Sequence, residues 1–523
     1  MMFRRTRLTV GAAVCAIALA LGACGGGGDS GPGPSAGATG EPVAGGEGRL
    51  LLLAEPRTLD PAILGNGYAT LAVLGNALYG SLMISNDDGA VEYKMAESFE
   101  TTDKGRTFTL TLRDGLVFSD GTPLNAEAVK FNWDRLKDPA TRAVNLAEAS
   151  DIDSTEVVDA VTLKVTLVNP VPAFAQSIVT STLNWIGSPA ALQKGAQSFD
   201  AAPIGAGPFI LESWTRQADL KLVKNPRYWD APKPYLERLT MRTATETNQR
   251  YNTVLTGGAD LAIESSPVNL DKAEQAGLAT DVMDLSGGLF LAMNTRRAPF
   301  DDIRARRAVA AALDLEAVNL AVYNGTGRPA DLLFADSSPF HTSTTLHKTD
   351  KTLAQKLFDE LAADGKPLSF TFTSAPSAEN RTIAENVQAQ LGAFKNVKVE
   401  VKVAEITEYV ALRRTHEFDV AVSSAFFQDP EPRLWTTFNG KSAANLPGID
   451  DPKLNDALAD ARAATTEDER RTAYAVFEKA LVDLMPVVFL ARADPGVIAG
   501  KGVGGFVQYG LGSLLPEEIW ISK

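Results

Sequence analysis

Cysteine is nearly absent. Two occur in 523 residues, Cys15 and Cys24, and none follows residue 24. The body of the chain therefore has no thiol, no disulfide and no zinc–thiolate site. Histidine is almost as scarce, and His341, His347 and His416 show no metal-ligand spacing. Beyond residue 21 no apolar run approaches the length of a membrane span. Positive charge is in deficit, with 50 Lys and Arg against 64 Asp and Glu, a net charge of −14. With no basic tract to offset that balance, nucleic acid is not an expected partner.

Catalytic motifs are missing as well. Gly440-Lys441-Ser442 ends like a phosphate loop, but Trp435 stands where the loop needs its first Gly, so no cradle of amides forms. Gly205-Ala206-Gly207 lacks a third Gly and runs into Pro208, and no G-x-S-x-G elbow occurs. No acidic pair stands out from a generic solvated surface. The expectation is a protein that is not an enzyme and holds neither cofactor nor metal.

What is present begins at the N-terminus. Arg4, Arg5 and Arg7 precede an apolar stretch, Leu8 to Leu21, that is too short to stay in a bilayer as a mature helix. Residues 25–48 are mostly Gly, Ser, Pro and Ala with almost nothing to bury, which predicts a disordered tether whose ends lie roughly 25–30 Å apart. The remaining length exceeds what one hydrophobic core serves, so two or three domains are expected.

The stretch from Thr107 to Leu136 shows how the body is built. Phe108, Leu110 and Leu112 alternate with polar residues, as in a half-buried strand. Ser119-Asp120-Gly121-Thr122-Pro123 is a turn. Asn125 then caps a helix whose apolar positions Val129, Trp133 and Leu136 recur at helical spacing, with Glu127 in its first turn. Leu50 to Leu53, Leu368 to Thr373, Val397 to Val403 and Phe418 to Val422 also read as strands. Ile383 to Leu391 reads as a helix, as does the segment after Ile303, with Asp301 or Asp302 as its cap. Thr466 and Glu469 form a capping box before a helix with a stripe of Ala473, Val476, Phe477, Ala480, Leu481 and Leu484, stopped by Pro486. Strands interleaved with helices mean α/β.

Leu21-Gly22-Ala23-Cys24 resembles the lipobox of bacterial lipoproteins, which implies cleavage before Cys24 and lipidation of its sulfur. The body resembles bacterial extracellular solute-binding proteins of family 5, the oligopeptide, dipeptide and nickel receptors of ABC importers. The resemblance rests on an ordered series. It includes Leu59-Asp60-Pro61, Leu112-Arg113 through Asp120-Gly121-Thr122-Pro123, Ile204-Gly205-Ala206-Gly207-Pro208-Phe209, Asn225-Pro226-Arg227-Tyr228-Trp229, and Met293-Asn294-Thr295 followed by Pro299-Phe300-Asp301. It implies an α/β, periplasmic-binding-protein-like hinged two-jaw fold, type II and cluster C-like, with an extra domain. The implied layout is a signal peptide over residues 1–23 and a lipidated Cys with tether over 24–48. Domain I takes residues 49–84, 200–287 and 490–523, domain II takes 85–199, and domain III takes 288–489.

In peptide-binding relatives an Asp four residues before the Pro of an acidic-Pro pair anchors the ligand's α-ammonium. Here the pair is Asp429-Pro430 and Phe426 takes the anchor's place. A buried ammonium without a carboxylate is costly, so Phe426 and Phe427 favour an apolar, aromatic or sugar-like solute, unless both are core residues of a strand end. Gln428, Asp429, Trp435, Asn445 and Tyr68 complete the candidate contacts, each with a structural role as the alternative. Trp133 and Trp229 are read as packing residues. The implied function is a monomeric, lipid-anchored receptor on the outer face of the cell membrane. It would pass a peptide-like or other small solute to separate permease subunits and ATPases. A sensor or envelope scaffold without uptake and a secreted hydrolase are the alternatives.

Overall fold

The computed structural model describes residues 37–38, 40–68 and 71–522. Cys24, the apolar N-terminal stretch and most of the Gly-rich segment lie outside these residues. Among the described residues no helix is long and apolar enough to cross a membrane.

Three sheets organise the chain. The largest has seven strands in the order Ala279–Val282, Gly496–Ala499, Leu261–Glu264, Glu47–Leu52, Arg238–Thr243, Asp219–Lys224 and Phe209–Trp214. Its central strand, Glu47–Leu52, runs parallel to both neighbours. Leu50 and Leu52 enter one apolar cluster and Leu51 the cluster on the opposite face. This explains the unbroken run of leucines, because a parallel strand covered on both sides has no polar face. The strand starts at Glu47, inside the segment expected to be tether, and Ala38 donates its N–H to the Val503 carbonyl at 2.9 Å. Ladder partners such as Arg238, opposite Glu47, order residues whose composition alone argues for coil.

The second sheet has five strands, ordered Val397–Val403, Leu368–Ser374, Val420–Phe427, Ser286–Met293 and Val487–Ala491. It too is covered on both faces: Phe290 and Ala292 point into one core, Leu291 and Met293 into the other. A four-stranded antiparallel sheet carries Thr107–Leu112, and the helix Ala126–Lys137 packs on it. Asn125 caps that helix by accepting from the Ala128 N–H at 3.0 Å. Trp133 is fully buried and donates its indole N–H to the Leu183 carbonyl, so it is a packing residue.

Other local expectations hold with small shifts. Asp302 caps the helix Ile303–Ala312. Thr466 and Glu469 complete the capping box of Glu467–Leu484. On that helix Val476 is 42% exposed, not part of the buried stripe, and Tyr474 takes the inward position against Phe340. The strand expected at Phe418 to Val422 runs instead from Val420 to Phe427.

The chain crosses between the two large sheets twice, from Val282 to Ser286 and back from Ala491 to Gly496. The two crossings lie side by side, with the Met283 N–H donating to the Pro495 carbonyl at 3.0 Å. Arg328 ties them together through Asp284 on one crossing and Asp494 on the other, each at 2.7 Å.

Candidate functional site

Beside the twin crossings lies a cavity of about 140 Å³. Tyr68, Ser265 and Pro267 come to it from the side of the seven-stranded sheet. Leu289, Tyr323, Glu379 and Phe426 come from the five-stranded side, and residues 491–494 form the wall between them.

Strand alternation decides what the adjacent phenylalanines do. In Val420–Phe427, Phe427 shares a face with Ala421 and Ala425 and is buried in the core, its ring 5.8 Å from that of Phe334 and nearly perpendicular to it. Phe426 points the opposite way, half-buried, into the cavity. Its strand partner is Gly287, at φ +74°, where a Cβ would sit 1.8 Å from the Ala425 carbonyl oxygen, so only glycine fits. Tyr68 reaches the cavity from a loop held by its N–H to the Leu511 carbonyl at 2.8 Å. The Tyr68 and Phe426 rings face each other across the crossing, 6.3 Å apart and inclined by 58°.

The polar groups of the cavity are mostly paired. Asp494 accepts from Arg328, and burial still pushes its carboxyl above the usual range. The Arg492 guanidinium donates to the carbonyls of Leu332, Phe334 and Leu285. Glu379 accepts the Tyr323 hydroxyl at 2.5 Å. Burial raises both the Tyr68 and Tyr323 phenols, and the carboxylates of Glu379 and Asp494 raise them further.

The remaining candidates stand apart from this cavity. Gln428 bridges lobes: it accepts from the Ser85 hydroxyl at 2.6 Å and donates to the Asn86 carbonyl at 2.8 Å, on the hairpin Met83–Ser85 and Val91–Tyr93. Asp429 accepts two hydrogen bonds from Arg470 and one from the Glu431 N–H. Trp435 lies under the Arg462 guanidinium, 4.7 Å from its centre. Asn445 is buried and stitches its own loop, donating to the Asn439 and Ile449 carbonyls and accepting from the Gly448 N–H. The arrangement thus brings Tyr68 and Phe426 together, and gives the other five residues packing and hydrogen-bonding partners elsewhere. Tyr323 and Glu379 were not anticipated. No local motif marks them, because each lies on an ordinary helix, Leu315–Tyr323 and Ala378–Leu391. Among the described residues no cluster of His, Cys, Asp or Glu is able to hold a metal.

Two two-faced sheets, joined by paired crossings with a lined cavity beside them, define the class of a periplasmic binding protein. Comparison with known proteins narrows this. The family described as bacterial extracellular solute-binding proteins, family 5 Middle, matches residues 90–445, and the chain belongs to that family. It is 30% identical over 368 residues to the glutathione-binding protein GsiB of Shigella boydii serotype 4, an alignment covering 69% of each chain. Its fold matches the binding protein AgaA of A. tumefaciens R10, solved with agropinic acid, at a TM-score of 0.79 and 24% identity, over 91% of this chain and 99% of that one. It also matches DppA of Helicobacter pylori, solved with the peptide STSA, at a TM-score of 0.79 and 22% identity, over 92% and 99%. Members of the family are substrate-binding receptors of ABC importers and not enzymes.

Proposed function

We propose that this protein captures a small solute, peptide-like or apolar, aromatic or sugar-like, between two jaws and delivers it to an import permease. The cavity beside the twin crossings carries this reading, because its walls come from both large sheets. A ligand touching both walls favours the closed state by its differential affinity, and a permease can read that state. In this reading residues 49–84, 200–282 and 496–523 form one jaw, 286–491 the other, and 85–199 an extension of the first. The side-by-side segments at residues 283–285 and 492–495 would act as the hinge. Tyr68 and Phe426 would be the ligand contacts, one from each jaw. Cys24 would carry the lipid that holds the receptor at the outer face of the cell membrane, and the permease and ATPases would be separate chains.

A thermal-shift screen of the purified protein tests the reading. The panel holds free and N-blocked peptides, glutathione, oligosaccharides and small aromatic metabolites. A ligand at about 100 times its Kd stabilises a folded receptor by about 2.7 kcal/mol, and it should be recovered unchanged afterwards. A panel without any stabilising solute would sink the receptor reading, and a consumed solute would point to catalysis.

A further inference from the structure

We propose that the two jaws carry a latch of their own outside the cavity, made by Arg462 with Asp151 and by Gln428 with Ser85 and Asn86, so that the closed form is the resting form before any solute binds. This deepens the receptor reading and rests on its two jaws.

Three observations converge. First, the latch joins opposite jaws through protein groups alone. Arg462 and Gln428 lie within residues 286–491, while Ser85, Asn86 and Asp151 belong to the extension of the other jaw. Asp151 accepts from both η nitrogens of Arg462, at 2.6 and 3.5 Å. Gln428 accepts the Ser85 hydroxyl at 2.6 Å and donates to the Asn86 carbonyl at 2.8 Å. None of these five residues lines the cavity, so a solute held there neither makes nor replaces the bonds.

Second, each half is held ready within its own jaw. The Nε of Arg462 meets the Glu431 carboxylate at 3.0 and 3.2 Å, and the Trp435 ring lies 4.7 Å from the guanidinium centre. Asp151 ends the helix Leu146–Ser150, and its carbonyl takes the Val168 N–H at 2.8 Å. Ser85 Oγ also accepts the Gly510 N–H at 2.9 Å, and Asp429, next to Gln428, is held by Arg470 at 2.9 Å. Groups ordered in advance lose little freedom when they meet.

Third, opening strands no charge. Glu431 keeps Arg462 when the jaws part, so release breaks hydrogen bonds without leaving a buried ion unpaired. Each contact is then worth about fivefold in the ratio of closed to open form. That strength populates the closed form and still lets a solute enter through the open one. A solute adds its own contacts to a closure already favoured, and its affinity is not reduced by the cost of bringing the jaws together.

Small-angle scattering of the full protein, refolded from urea to strip any bound solute, tests this. Asp151→Asn/Gln428→Ala is the released form. Asp153→Asn is the control, an exposed carboxylate two positions from Asp151 with no partner among the described residues. Parent and control should share one compact profile. The double variant should show a larger radius of gyration with unchanged circular dichroism, and if it does not refold, Gln428→Ala alone serves the same comparison. A parent as wide as the released form overturns the proposal, as does a released form as compact as the parent, or a control that widens too. Scattering needs no solute, so an overturned latch leaves the receptor reading standing. A solute screen without any stabilising member sinks that reading separately.

Discussion

The Arg462 guanidinium lies 2.6 Å from the Asp151 carboxylate, joining a helix of the C-terminal lobe to the edge of the four-stranded sheet. On its other side Arg462 meets Glu431 at 2.8 Å, a carboxylate only 2% exposed, and Trp435 covers its face. Taking Glu431 out of water is costly, and Arg462 offsets that cost only while it stays in place.

The two members of the Arg462–Asp151 pair should therefore respond differently to substitution. Arg462→Met strands the Glu431 charge and should cost about 3–5 kcal/mol in urea unfolding. Asp151 keeps a quarter of its side chain in solvent, so Asp151→Asn should cost only about 1 kcal/mol. Equal losses would mean that the buried charge is relieved some other way. In the two-jaw reading Asp151 and Arg462 belong to opposite jaws, so Asp151→Asn should also widen the ligand-free molecule in small-angle scattering.

Neighbouring phenylalanines should separate stability from binding. Phe427→Ala empties a packed core position against Phe334 and should destabilise by about 3–5 kcal/mol. Phe426→Ala removes a half-buried ring from a cavity wall, so the unfolding midpoint should move little while affinity for a cavity-filling solute falls about tenfold. The reverse pattern would place Phe427, not Phe426, at the ligand.

Glu517 should make stability fall as pH rises. It is buried, accepts the Tyr228 hydroxyl at 3.2 Å and leaves its other oxygen without a partner, and burial raises its pKa from 4.5 to about 7. Between these values the folded state holds a proton that the unfolded state has released. The stabilisation from Glu517 is therefore complete below pH 4.5 and is lost as pH rises through 7, a loss on the order of 3 kcal/mol. Glu517→Gln should remove that slope: subtracting its urea midpoints from those of the parent between pH 4.5 and 8 should leave a curve descending with pH. A flat difference would show that Glu517 titrates normally.

Cys24→Ala should release the protein from bacterial membranes. In the proposed lipidated form, two acyl chains on Cys24 would give stable anchoring at roughly 0.8 kcal/mol per buried methylene, and among the described residues no helix is long and apolar enough to cross a membrane. Continued pelleting of the variant after a carbonate wash would show another means of attachment.

Gln428→Ala should loosen the lobes without unfolding either. It removes hydrogen bonds to Ser85 and Asn86 on the far hairpin, each net worth about 1 kcal/mol at most, while the strand before it keeps its ladder. Faster amide exchange at residues 83–91, with the five-stranded sheet unchanged, is the expected readout. Unchanged exchange there would mean the bridge does not hold the hairpin.

Much of the local structure was legible in the sequence because its causes are local. Asn125 caps Ala126–Lys137 and Thr466 caps Glu467–Leu484 through atoms three residues away, so four letters carry the information. Phe108, Leu110 and Leu112 share a face because a strand alternates whatever surrounds it. Failures came where distant partners intervene. Val476 fits the helical period of its stripe, yet the packing of Tyr474 on Phe340 sets the helix rotation and leaves Val476 in solvent.

By itself, then, the sequence determined the α/β character, the caps and turns, the absence of thiol chemistry in the body and the ordered motifs of family 5. All of these depend on composition or on neighbours a few residues apart. Only the tertiary structure decided that Phe426 faces a cavity while Phe427 is core, that Gln428 bolts two lobes, and that Glu379 and Tyr323 join Tyr68 in one compartment. Those outcomes depend on strand register and on two sheets meeting at paired crossings. The side chains involved come from segments hundreds of positions apart, and no short-range pattern encodes their approach.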